Sequence, residues 1–168
     1  CQDRPGVAPA DSAGLCRAVK EAALQSDVVV VSFHWGTEFS DYPTQSQRRL
    51  AHLAVDSGAL LVIGHHPHVV QGLEVYQDAV IAYSLGNFIF DQGPRHGGDK
   101  SVMLNAELSK DGVELMILTP LVIENCQPHI AEPDRAWSIL ERLIQVCEPL
   151  GTHLFMDVDE GSAVLALD

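Results

Sequence analysis

Four of the chain's eight histidines gather in two short stretches. His34 follows the run Val28-Val29-Val30-Val31-Ser32-Phe33. His65, His66 and His68 follow Leu60-Leu61-Val62-Ile63-Gly64. Imidazole is a good ligand for zinc, iron and similar ions. An H-x-H pair leaving a strand aims two rings to one side, so His66 and His68 read as metal ligands, with His34 as a third. Gly64 lets the backbone turn without a Cβ clash, and Pro67 stiffens the loop. Any one histidine after a strand is more often a surface or hydrogen-bonded residue. Three within four positions, with His34 at a similar topological place, favour the metal.

Other polar residues flank these clusters. Glu38 is either a hydrogen-bond acceptor for a ligating imidazole or a surface carboxylate. Asn87, in Ser84-Leu85-Gly86-Asn87, either contacts substrate, braces the histidine loop or serves turn chemistry alone. Asp91 is a further acid near the expected site. His52 is expected on the exposed face of its helix. His96, His129 and His153 are isolated, and the sequence assigns them no role.

Some chemistries are absent from the pattern. The chain has no Gly-rich nucleotide phosphate loop and no G-x-S-x-G nucleophile elbow. A two-metal centre also needs oxygen ligands, yet the chain supplies no clear D-x-H or G-D motif beside the histidines. Cys1, Cys16, Cys126 and Cys147 form no C-x-x-C pair, so they read as core or incidental thiols rather than a zinc site.

Positioning such residues requires strands that end at one place. Asp11 to Leu24 reads as a helix capped by Asp11 or Ser12. Asp27 to Phe33 and Leu60 to Ile63 read as strands buried on both faces. Between them, Thr44-Gln45-Ser46-Gln47 is a capping box opening a helix that ends at Gly58. Helix, strand, helix, strand with short links predicts parallel strands in an α/β fold. Ligand sites in such sheets form beyond the carboxyl ends of the strands, where both histidine clusters fall.

Further on, Leu73 to Tyr76 and Ala79 to Tyr83 read as a hairpin, as do Ser101 to Leu108 and Val113 to Leu118. Gln92 to Lys100 reads as a mobile loop. Pro133 to Val146 reads as a helix with Trp137, Leu140 and Ile144 on one face. The remainder, through Leu167, is expected to add a strand.

The 168 residues suffice for one domain with a real core. Net charge is -13, which repels nucleic acid and anionic membranes, and Arg48-Arg49 is the only adjacent basic pair. No apolar run approaches the ~20 residues of a membrane helix, and no signal-peptide pattern opens the chain.

Three segments carry a family resemblance. Phe33-His34-Trp35-Gly36-Thr37-Glu38, Gly64-His65-His66-Pro67-His68-Val69-Val70-Gln71-Gly72 and Tyr83-Ser84-Leu85-Gly86-Asn87-Phe88-Ile89-Phe90-Asp91 resemble motifs of bacterial CapA-type capsule (poly-gamma-glutamate) proteins. That family is similar in fold to the calcineurin-like metallophosphoesterases. The resemblance implies that residues 1–168 are the C-terminal portion of one such domain, half of a four-layer α/β/β/α sandwich. It implies two divalent ions (manganese, iron or zinc) with His34, His66 and His68 as metal ligands. His65 would be a further ligand or a general acid, and Asn87 a substrate contact. The family's early G-D motif and its A-N-L-E and N-N-H segments are not in this chain, and their expected place is upstream of Cys1. The expected partners are therefore an N-terminal half and an anionic polymer or phosphoester substrate. An exposed sheet face or edge is expected where that half would pack. Three roles stay open: a metal-dependent hydrolase, a non-catalytic capsule component that binds, exports or anchors polymer, and a fragment inactive in isolation. Localisation is expected at the cell surface through an upstream segment, with a cytoplasmic alternative.

Overall fold

The first helix begins where the sequence offers a cap. Asp11 accepts a hydrogen bond from the Gly14 N–H at 2.8 Å, and α1 runs Ser12–Ala23. Strand β1 (Val30–His34) follows. Helix α2 (Gln45–Asp56) opens on the capping box, with both reciprocal bonds between Thr44 and Gln47 made. Strand β2 (Leu61–His65) completes the repeat. This is a computed structural model, and it describes residues 6–90 and 92–167. Cys1 and Asp91, both singled out above, lie outside the described residues.

Strands β3 (Leu73–Tyr76) and β4 (Ala79–Ala82) form the expected hairpin around Gln77-Asp78. The first sheet has the order β1-β2-β4-β3, with β1 and β2 parallel as the helix–strand alternation predicts, and β4 also parallel to β2. The second sheet contains β5 (Lys100–Ser109), β6 (Gly112–Glu124), β7 (Gln127–Ile130), β8 (Leu154–Asp157) and β9 (Ser162–Leu165), in the order β5-β6-β9-β8 with β7 also on β6. It is antiparallel throughout. Helix α3 (Pro133–Cys147) connects β7 to β8. The chain is thus mixed α/β, with two sheets and three α-helices among the described residues.

Side-chain alternation assigns each face of the first sheet a core. Val62, Ile81 and Tyr83 pack with α1 and α2 residues such as Val19, Leu50 and Ala54. Leu61, Val80 and Ala82 pack instead with Met116, Leu118 and Ala163 of the second sheet and with Leu140 and Leu143 of α3. Leu73 also turns to this side and donates its N–H to the buried Cys147 thiol at 3.2 Å. The cysteines at 16, 126 and 147 are free.

The second core thins out at β1. Leu61 is 4% exposed, but its parallel neighbour Val30 is 48% exposed. Strand β1 also has only β2 beside it among the described residues. An exposed face and edge therefore exist at this strand.

Three expectations need correction. On α3 the buried residues are Ala136, Ile139, Leu140, Leu143, Val146 and Cys147, while Trp137 is 45% exposed. Leu140 alone of the expected Trp137–Leu140–Ile144 stripe is fully buried, because the neighbouring row of smaller apolar residues meets the core. The segment after α3 forms a hairpin, β8 and β9, rather than one strand. His52 is not a free surface ring: it stacks on Tyr76 (centroids 3.9 Å, planes at 4°) and contacts Glu74 at 3.0 Å.

Candidate metal centre

Two strand ends are laced together at the candidate site. His34 and His65 are register partners in β1 and β2. The Trp35 N–H donates to the His65 carbonyl at 3.0 Å, and the Phe39 N–H donates to the Pro67 carbonyl at 2.8 Å. These bonds hold the loop carrying Glu38 against the loop carrying His66 and His68.

Gly64 is required by close packing rather than by a turn. A Cβ there would sit 2.0 Å from the Tyr83 carbonyl oxygen and 2.3 Å from Trp35 Nε1. Trp35 Nε1 donates to that same carbonyl at 3.0 Å, fixing the indole over the strand. Gly36 adopts φ +92°, and a Cβ there would meet the Gln47 side chain at 2.7 Å. Gln47 and Gln71 are each 1% exposed and joined at 3.0 Å. Gln71 Nε2 then donates to the Ser40 and Tyr42 carbonyls at 2.7 and 3.2 Å. This buried amide pair anchors the Glu38 loop to α2. Gln71 stands within the G-H-H-P-H-V-x-Q-G-like segment, so that motif contained its signal, but the bracing function needs the fold to be seen.

The loop after β2 bends sharply. His66 has φ +100° and His68 φ +62°, values that non-glycine residues rarely adopt. Such conformations cost of order 1–3 kcal/mol each and persist when the surroundings over-determine them. Here they turn two imidazoles toward the end of β1, where His34 stands. The His34 and His66 ring centroids are 4.8 Å apart, and those of His66 and His68 5.7 Å.

Glu38, His66 and His68 each present a ligand atom, and these atoms lie within 4.8 Å of one another. Two donors bound at ~2.1 Å to one ion are at most about 4.2 Å apart. In tetrahedral geometry the donors sit about 3.4 Å apart, so a contraction of up to about 1.4 Å closes the set on one ion, and the exposed Glu38 side chain is free to move. Two imidazoles and a carboxylate suit zinc, iron or manganese. The residues present therefore fit a divalent ion in donor type and spacing. Glu38 belongs with the candidate ligands themselves, closer in than the outer acceptor position its sequence neighbourhood suggests. His34 lies beside His66 but outside this three-residue group.

Asn87 selects the tautomer of His68. Its Nδ2 donates to the Gly98 carbonyl at 2.9 Å and to Gln92 Oε1 at 3.0 Å. A carbonyl can only accept, so the amide is oriented with Oδ1 toward His68 Nδ1 at 2.8 Å. His68 Nδ1 must then carry the proton, leaving Nε2 with a free lone pair. The contacts of Asn87 support the bracing role among those open to it.

Electrostatics favour an uncharged His65. Burial lowers its pKa, helped by repulsion from His34, so the neutral ring prevails at pH 7. A neutral imidazole can bind a metal or accept a proton. Aromatic rings rim the site: Phe39 and Phe90 approach His68 at 6.0 and 5.1 Å, and Phe39 also meets His96 at 4.9 Å. His96, isolated in the sequence, thus borders the centre across Phe39. No spacing signal links it to the other histidines.

The comparisons agree with the motifs. The family model described as bacterial capsule synthesis protein PGA_cap matches residues 1–92. The chain is 41% identical over 133 residues to the PGA biosynthesis protein CapA of Bacillus subtilis (strain 168), covering 79% of this chain and 35% of that protein. It is 43% identical over 103 residues to the capsule biosynthesis protein CapA of Bacillus anthracis, covering 61% of this chain and 25% of that protein. A probable polyglutamine synthesis accessory protein of Mycobacterium tuberculosis (strain CDC 1551 / Oshkosh) is 28% identical over 97 residues, covering 54% of this chain and 26% of that protein. The matches thus span about a third or less of these relatives' lengths. With its three motifs converging on one histidine-lined site, and the family model covering more than half its residues, the chain belongs to the bacterial capsule synthesis protein PGA_cap family.

Proposed function

We propose that this chain contributes to making a poly-gamma-glutamate capsule, as part of a protein whose metal centre is completed by residues outside these 168. The observation that carries the reading is the convergence of Glu38, His66 and His68 to within 4.8 Å. That set is enough for one ion. A second would draw on His34 and on acids from an N-terminal half, in the four-layer α/β/β/α arrangement of metallophosphoesterases. The exposed face and edge of β1 are consistent with such an addition.

A divalent ion held there would supply Lewis acidity toward a phosphoryl or acyl oxygen. The chain's own residues do the positioning. His68 presents Nε2 because Asn87 holds Nδ1–H. Glu38 closes from the exposed side. His65, neutral and partly buried, offers a ring nitrogen as a further ligand or proton acceptor. Phe39 and Phe90 restrict water at the rim.

The capsule reading also has a non-catalytic form, in which the centre binds, exports or anchors polymer without turnover. The word "accessory" in the name of the mycobacterial relatives favours keeping it. Localisation at the cell surface through a preceding segment fits either form; no helix among the described residues is long and apolar enough to cross a membrane. The test is an assay of the intact, metal-loaded protein on a generic phosphodiester and on poly-gamma-glutamate. Turnover lost in both His66→Ala and His68→Ala supports hydrolysis. Polymer binding without turnover supports the second form. Neither binding nor turnover rejects both.

A further inference from the structure

Asn87 orients His68, and two acceptors orient Asn87 in turn. One is Gln92 Oε1, the end of a flexible side chain in a segment whose residues 93–96 are exposed. The other is the buried Gly98 carbonyl, 2.9 Å from Asn87 Nδ2. A carbonyl points only as well as its peptide plane is held, and the plane of Gly98 continues into Asp99. Two contacts hold Asp99. Its carbonyl accepts from the Ile123 N–H at 2.8 Å, tying it to β6. Its carboxylate Oδ2 accepts from Arg135, in the first turn of α3, at 3.0 Å. The other arm of that guanidinium reaches Glu124 at 2.7 Å.

Asp99 is poorly placed for a residue that serves stability alone. It is 8% exposed, and its buried Oδ1 has no hydrogen-bond partner among the described residues. A buried carboxylate with one oxygen unsatisfied carries a desolvation cost that a single ion pair repays badly. The Arg135 side chain is 41% exposed, so solvent weakens the pair further. What the pair does supply is position. It pins α3 to the peptide unit that aims Asn87, just where the exposed segment ends and β5 begins.

We propose that Asp99, held by Arg135, is a positioning residue for His68. It fixes the Gly98 carbonyl, which orients the Asn87 amide, which keeps the proton on His68 Nδ1 and leaves Nε2 free. Three hydrogen bonds of 2.8 to 3.0 Å thus link α3 to the histidine loop. The tautomer stands on these bonds alone. Its consequence for metal binding rests on the metal-centre reading above, and the two are separable by experiment.

The test compares the intact parent with Arg135→Gln, Arg135→Lys, Asp99→Ala and Glu124→Ala through two readouts. The first is the His68 tautomer in metal-free protein, read from ring nitrogen–proton NMR correlations with the ring neutral. The second is zinc affinity, measured by competition with a chelating dye. The parent should show the Nδ1–H form alone. Arg135→Gln and Asp99→Ala should show a mixture with the Nε2–H form and bind zinc about ten-fold more weakly, the low end for outer partners of a ligand. Arg135→Lys, which keeps a cation in reach of Asp99, should restore both readouts. Glu124→Ala removes only the other arm of the guanidinium contact and should change neither. Arg135 is partly exposed, so its variants keep the fold even if Asp99→Ala does not. A merely structural pair would lower the denaturant midpoint and leave the tautomer unmoved. A pure Nδ1–H form in Arg135→Gln would therefore overturn the proposal. So would an equal change in Glu124→Ala, which would make the effect a general loosening of α3. A tautomer that shifts as expected in a protein that binds no zinc would support the positioning role and sink the metal-centre reading instead.

Discussion

The orientation of His68 hangs on one amide. Because the Gly98 carbonyl fixes Asn87 Nδ2, Asn87 Oδ1 must face the ring, and Nε2 is left to bind. Outer partners of ligating histidines typically account for 10–100-fold in metal affinity. Asn87→Ala should therefore weaken metal binding by about that factor, read by competition with a chelating dye. Asn87→Asp keeps the acceptor for Nδ1–H but loses the donor to Gly98, and should fall between. Unchanged affinity in Asn87→Ala would mean that His68 is not a ligand or needs no brace. At this scale the sequence was informative about residue types: the histidines and Asn87 stand out by spacing and neighbours. It was silent on His96 and understated Glu38, because their proximity is created by the Phe39–Pro67 hydrogen bond and by the positive-φ loop, which no spacing reveals.

Elements were legible where local chemistry specifies them. Asp11 caps α1, Thr44 and Gln47 form the box that opens α2, and Gln77-Asp78 turns the first hairpin. Strand β7 escaped notice because a four-residue segment containing Pro128 has little strand signal of its own and relies on β6 for pairing. The buried row of α3 is not legible from residue size, because Trp137 is large and apolar yet half-exposed, whereas the core takes Ala136, Ile139 and Leu143. The end of that helix supplies a pH test. Burial raises the Cys147 thiol from 9.0 to about 11, against a smaller lowering by the Leu73 N–H. A raised folded pKa gives stability that is complete below the unfolded value and is lost as pH rises through the folded one. Thiol-linked stability should thus decline between pH 9.0 and about 11, by at most roughly 3 kcal/mol. Denaturant midpoints measured across that range should slope less in Cys147→Ala than in the parent, since Tyr83, also raised mainly by burial, titrates in both. Parallel slopes would remove Cys147 from the account.

At the scale of the whole molecule, the two sheets cover each other over β2 and β4 but leave β1 open. Val30 is 48% exposed, and β1 has one strand neighbour among the described residues. Open apolar edges invite pairing with other chains. The 168-residue chain should self-associate at micromolar concentration in sedimentation velocity, and Val30→Lys should shift it toward monomer. A monomeric parent would show that β1 is adequately protected. The high negative charge opposes association in general, so salt should promote it by screening.

The metal-centre reading depends on two imidazoles of one loop and a carboxylate of its neighbour sharing a cation. Metal content of the intact protein, purified without added chelator and measured by elemental mass spectrometry, tests this most directly. The account predicts manganese, iron or zinc at near-integer stoichiometry, falling steeply in a His66→Ala/His68→Ala double variant that keeps its circular dichroism. An intact protein containing only trace metal, or a double variant that retains the full complement, would contradict it.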